Sequence, residues 1–206
     1  MAAVTYSSDP YPATPRTPWA RRLIAPAAII VAMWVVYIVQ VIVGPAGWRH
    51  LGLPAGQWDH LWAVVTSPFL HGGILHLINN TIAFLWLGML TAVEGPRRFW
   101  LVTAISALTA GIGVIALSAP GSVTIGMSGV IFGYFGYLLV AAFVEQNRRQ
   151  KVARIAAVTV IFLWWGTSFF AGLFPRGTMS WQAHLFGAIG GAIVAVVAQR
   201  KEARGA

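Results

Sequence analysis

Cysteine is absent from this 206-residue chain, which excludes disulfides, thiolate metal sites and cysteine nucleophiles. Acidic side chains are almost as scarce. Only Asp9, Asp59, Glu94, Glu145 and Glu202 carry carboxylates, so a carboxylate-based site has little to be built from. Charged residues make up 9% of the chain, and no polar stretch is long enough to fold as a second domain. What is abundant is apolar: 58% of residues are hydrophobic. They fall into runs at 23–43, 73–93, 99–117, 128–144, 152–174 and 181–199. A helix needs about 20 apolar residues to cross a hydrocarbon core of about 30 Å. The expected fold is therefore all-α and polytopic, with six transmembrane helices in one bundle.

A net charge of +9 raises nucleic acid as a partner, but the positions of the basic residues describe topology instead. Arg16, Arg21 and Arg22 precede the first run, Arg97 and Arg98 follow the second, Arg148, Arg149, Lys151 and Arg154 follow the fourth, and Arg200, Lys201 and Arg204 follow the sixth. With six spans these lie on one side, leaving only Arg49 and Arg176 on the other. The positive-inside rule then places both termini in the cytoplasm. A basic rim facing anionic headgroups of the lipid bilayer accounts for the charge without nucleic acid. Residues 1–18, with Pro10, Pro12, Pro15 and Pro18, read as a flexible cytoplasmic tail, 19–200 as the membrane domain and 201–206 as a second short tail. The first run reads as a retained span, because its length and flanks do not fit a cleavable signal.

The connection over 44–70 is unusually apolar for a loop. Trp58, Leu61, Trp62 and Val65 are spaced to form one helical face, as in a segment lying at the outer interface. His50 and His60 read as exposed interfacial residues. Residues 118–127 carry no charge and so are able to dip into the protein. The first run is an anchoring helix, with Gln40 its one strongly polar side chain near the outer end. The fifth, with Trp164, Trp165, Phe169 and Phe170, is expected to pack loosely or face lipid.

Polar residues within the runs are few. His76 and Asn80 are four apart and share a helix face, either as hydrogen-bond glue between helices or as functional groups. His71 and His76 are five apart, a poor spacing for two helical ligands, and no carboxylate lies at their depth, so no metal is expected and no other cofactor is called for. Gly126-Met127-Ser128-Gly129 opens the fourth run. Its Ser128 could cap the helix, fill a gap or attack a carbonyl. Gly129, Gly133 and Gly136 on this run, and Gly187, Ala188, Gly191 and Ala195 on the face of His184 in the sixth, are small enough for two helices to approach closely.

Runs two, four and six all point the same way, and His76, Ser128 and His184 each stand near the start of one. Parity therefore puts them in one layer within about 10 Å of the outer surface. Ser128 needs a base, neutral imidazole is suited to that work, and no carboxylate shares the depth. A Ser128–His184 dyad is what remains, its imidazole oriented by packing and by aromatics such as Phe132 one turn below Ser128. The Ser128 backbone N–H, the Asn80 amide and the His76 imidazole are available to a developing oxyanion.

His71, His76 and Asn80 in the pattern His-x4-His-x3-Asn, Gly126-Met127-Ser128-Gly129 as Gly-x-Ser-Gly, and Ala183-His184-x-x-Gly187 together resemble the rhomboid intramembrane serine proteases over the whole six-helix region. The resemblance implies Ser128 as nucleophile, His184 as general base, His76 and Asn80 as oxyanion stabilisers, and His71, Gly126, Gly129, Phe132 and Gly187 as supporting motif positions. It also implies cleavage of transmembrane protein substrates in or beside their membrane helices, in a bacterial-type plasma membrane with the site near its outer face. The fifth helix and residues 175–180 would serve as gate and cap. A member that binds transmembrane helices without cutting them is the alternative. Two departures stand out. Trp62-Ala63 occupies the place of the family's common Trp-Arg pair, and Phe132 stands where many members have Tyr.

Overall fold

Each apolar run becomes a helix. The computed structural model describes residues 18–145, 148–174 and 179–205. The expected amino-terminal tail, except Pro18, lies outside them, as do residues 175–178 of the expected cap and the side chains of Trp164, Trp165 and Phe169. The short α1 (Trp19–Arg22) leads into α2 (Ile24–Trp48). Gly44 interrupts α2 with φ 70°, a left-handed backbone that glycine tolerates, just before Pro45, which has no N–H to give the helix. Then come α3 (Ile74–Val93), α4 (Pro96–Leu117), α5 (Ser128–Val144), α6 (Arg148–Gly172) and α7 (Trp181–Gly205). Among the described residues four helical stretches, at 19–51, 74–93, 96–117 and 181–200, are long and apolar enough to cross a membrane, and α5 is a shorter apolar helix. The helix of α7 runs on to Gly205, through most of what the sequence marks as a tail.

The core forms around α5. Tyr134 and Tyr137 are fully buried, and Tyr134 meets Phe84 of α3 edge-on and Phe99 of α4 in a stack. Its hydroxyl pairs with Thr103 at 2.6 Å, so the polar tip is satisfied inside an apolar core. The closest helix contact is the seam between α5 and α7. A Cβ added at Gly187 would strike the Gly129 carbonyl, one at Gly191 the Gly133 carbonyl, and one at Gly136 the Ala188 carbonyl. The small-residue stripes do bring the two backbones together, and in membranes such packing substitutes for the hydrophobic force that lipid cannot supply.

The connections add what the sequence did not signal. Leu53 and Pro54 (β1) pair antiparallel with Val123 and Thr124 (β2), and two residues on each side are too few to show an alternating pattern. Trp58–Val64 is a 3₁₀ helix rather than an α-helix. Its Ala63 is fully buried, whereas Trp58, Trp62 and Val65 point outward, as an interfacial segment requires. Of the uncharged segment 118–127, Ala119 to Gly121 stay exposed and Met127 is buried. At the opposite end of α5 the Glu94 carboxylate, between α3 and α4, accepts hydrogen bonds from Arg98 at 3.1 Å and from the Tyr137 hydroxyl. Arg154 of α6 approaches Glu94 at 3.4 Å and Glu145 at 3.5 Å, and Arg22 donates to the Val93 carbonyl.

Candidate active site

Ser128 is the first residue of α5, and Met127 occupies the cap position, so the serine is not capping its own helix. Its Oγ lies 2.9 Å from Nε2 of His184, which is 5% exposed. The α5–α7 seam fixes this distance, because Gly129 and Gly187 remove the side chains that would hold the two helix starts apart. Ser180 sets the start of α7 by accepting the Ala183 N–H at 3.3 Å, and Gln182 ties it to α4 by donating to the Leu117 carbonyl at 3.0 Å.

The imidazole is held by two further groups. Phe132 stacks on it with centroids 4.1 Å apart and ring planes within 1° of parallel. Nδ1 of His184 sits 2.8 Å from the Gly172 carbonyl at the end of α6. A carbonyl only accepts, so Nδ1 carries the hydrogen and Nε2 presents its lone pair to the serine hydroxyl. That is the tautomer a general base needs. Gly172 has to be glycine for this approach: a Cβ there would lie 2.8 Å from Phe132 Cζ and 2.9 Å from His184 Nδ1. Sequence reasoning assigned orientation to packing and Phe132 but missed the Gly172 carbonyl, since a backbone oxygen has no residue signature.

His76 and Asn80 converge just ahead of Ser128. A Cβ at Gly126 would fall 2.7 Å from His76 Cε1, 2.8 Å from its Nε2 and 3.3 Å from Asn80 Nδ2, so only glycine lets this backbone pass. Its φ of 110° reinforces that requirement, and its N–H is anchored on the Ser67 carbonyl at 2.8 Å. The Gly72 N–H points to His76 Nδ1 at 3.4 Å, which leaves Nε2 as the protonated nitrogen of the neutral ring. Asn80 Nδ2 is buried without an acceptor among the described residues. Two donors thus face the segment that leads into Ser128.

His71 supports this arrangement from behind. It is 2% exposed, meets the His76 ring edge-on at 5.1 Å, and donates from Nδ1 to the Phe69 carbonyl at 3.1 Å. Burial lowers its pKa to about 4, repulsion from His76 adds to the drop, and the bond to Phe69 opposes it. At neutral pH the ring is uncharged. Gln40 of α2 grips the same residue, accepting its N–H at 2.9 Å and donating to its carbonyl at 3.3 Å. The sequence marks Gln40 only as the one strongly polar side chain of an anchoring run. Its position as the lone amide in an apolar run was the available signal for this clamp. His50 is exposed, as expected, whereas His60 is half-buried beside Asp59. Among the described residues no group of three His, Asp or Glu side chains is arranged to hold a metal ion.

Comparison with known proteins agrees with this architecture. Residues 58–201 match the model of the rhomboid domain. An uncharacterized protein of Mycobacterium tuberculosis is 32% identical over 205 residues, 93% of this chain and 83% of the relative. YdcA of Bacillus subtilis is 30% identical over 161 residues, covering 75% of this chain and 74% of that protein. Rhomboid protease GluP of Bacillus subtilis is 33% identical over 139 residues, 66% of this chain and 25% of that longer protein. The chain belongs to the rhomboid family, a family of membrane hydrolases that includes named proteases. Family and apolar helices together make it an integral, multi-pass membrane protein.

Proposed function

We propose that this protein is an intramembrane serine endopeptidase that cuts peptide bonds in or beside transmembrane helices of membrane protein substrates. The observation that carries the reading is the Ser128 hydroxyl 2.9 Å from His184 Nε2, with Nδ1 of the same ring committed to the Gly172 carbonyl. Ser128 Oγ attacks the substrate carbonyl carbon while His184 Nε2 takes its proton. The resulting oxyanion receives hydrogen bonds from the Ser128 N–H, Asn80 and His76. As the C–N bond breaks, the imidazolium returns the proton to the leaving amine, and an acyl-serine remains. His184 then deprotonates water, which releases the acid and restores Ser128. The Phe132 stack and the Gly172 carbonyl position the imidazole as a carboxylate does in a triad.

In this reading residues 19–200 form the protease domain, between cytoplasmic tails at 1–18 and 201–206. All six apolar helices span the membrane, with the basic Glu94 end inside and Ser128 near the outer face of a bacterial-type plasma membrane. The positive-inside distribution of Lys and Arg supports that orientation. The test is a serine-reactive fluorophosphonate applied to purified protein, with the adduct located by mass spectrometry. Labelling at Ser128, abolished in Ser128→Ala and strongly reduced in His184→Ala, is the expected result. An adduct elsewhere, or equal labelling of His184→Ala, would overturn the dyad.

A further inference from the structure

At the Glu94 end, far from Ser128, a groove of about 570 Å³ opens between α4 and α7. Leu101 and Ile105 of α4 form one wall, and Ile193 and Val197 of α7 the other. Leu101, Ile193 and Val197 are each about half exposed, so the groove is open along the apolar flank of the molecule. Its mouth is lined by the start of α4, including Arg97, whose side chain is exposed. Arg200 lies seven residues beyond Ile193 and three beyond Val197, on the same helical face and also exposed. Glu94 lines the mouth as well, but its carboxylate is occupied by Arg98, Arg154 and Tyr137. Among the described residues, the charge that the mouth offers is therefore positive.

We infer that this groove seats one anionic phospholipid, its phosphate between Arg97 and Arg200 and an acyl chain along Leu101, Ile105, Ile193 and Val197. The two halves of the site demand the two halves of such a molecule. A basic mouth at the headgroup level selects an anionic head, and the open apolar walls beneath it select a chain that continues into the bilayer. The positive end of the α4 dipole, whose first residues line the mouth, adds to the field on the phosphate. A second copy of the chain is disfavoured as occupant, because a two-fold contact here would bring Arg97 and Arg200 against basic residues of its twin. The inference rests on the chain's place in a membrane and not on the proposed peptidase activity.

Native mass spectrometry of the full chain, released from detergent after incubation with defined lipids, tests it. One phosphatidylglycerol should stay bound to the parent protein at a concentration where phosphatidylcholine does not. Arg97→Gln with Arg200→Gln should weaken that retention at least tenfold, and Val197→Trp, which fills the groove without changing charge, should weaken it similarly. Arg21→Gln with Arg148→Gln, basic positions outside the groove, should leave it unchanged. Inorganic phosphate in millimolar excess should not displace the lipid, since it lacks the chain that the walls hold. Equal retention of phosphatidylcholine, or undiminished retention by both groove variants, would overturn the assignment. Displacement by phosphate alone would overturn it too, as the mark of a headgroup-only site.

Discussion

Around the Ser128 end of α5 gather a hydroxyl, an amide, three imidazoles and backbone carbonyls, while beyond its other end lie Glu94, Glu145, Arg98 and Arg154. The first set contains no carboxylate, and the second consists of ion pairs closed on one another. Ionised partners grip strongly where the dielectric is low, which suits a junction of α3, α4, α5 and α6 that must hold. Uncharged groups grip less, but they leave a lone pair on His184 Nε2 and an unclaimed donor on Asn80 for use in a reaction. In the proposed reading, charge serves cohesion within the bundle and neutral hydrogen bonding serves chemistry.

That division can be broken from either end. The largest effect is expected at the neutral end, from Asn80→Ala. Loss of an oxyanion donor costs about 2.7–4 kcal/mol of transition-state stabilisation, or roughly 10²–10³ in kcat. Thermal stability should change little, because the Asn80 donor has no partner to lose. Turnover equal to the parent would remove Asn80 from the oxyanion site.

Next comes the pH response of His71. Its folded pKa of about 4 lies below the unfolded value of 6.5, so the unfolded chain binds the extra proton between those limits. Stability is therefore intact above pH 6.5 and falls as the pH drops toward 4, by about 3 kcal/mol in all. Unfolding measured in detergent across that window should show the decline, and His71→Asn should flatten it. An unaltered slope in the variant would assign the acid sensitivity elsewhere.

The smallest effect is expected at the ionic end. Glu94→Gln leaves Arg98 and Arg154 without their shared carboxylate, which costs about 2 kcal/mol, less than for a fully buried pair because Glu94 is 17% exposed. Melting should occur at lower temperature while kcat per folded molecule is unchanged. A fall in kcat at full folding would erase the distinction between the two ends.

Much of this was legible in the chain itself. The six apolar runs foretold the helices, though α2 and α7 run on past their expected ends to Trp48 and Gly205, since an apolar run of that length has few other stable forms in lipid. Glycines spaced along α5 and α7 foretold the seam, and parity brought Ser128, His184 and His76 to one level. The Phe132 stack was also anticipated. What escaped notice was carried by backbone atoms or by very short pairings. The Gly172 carbonyl, the Gly126 N–H on Ser67 and the β1–β2 pair all depend on where the chain passes, not on which side chain it bears. Gln40 is legible as polar, but its clamp on His71 depends on α2 lying beside the segment before α3, which no local pattern encodes.

In the proposed function Ser128 and His184 cut peptide bonds at membrane depth. Purified protein reconstituted into liposomes with a single-span membrane substrate tests it most directly, the products being sized by gel and their new termini located by mass spectrometry. One or a few cuts in or beside the substrate's transmembrane helix are expected from the parent protein and none from Ser128→Ala. Cleavage that continues undiminished in Ser128→Ala would contradict it.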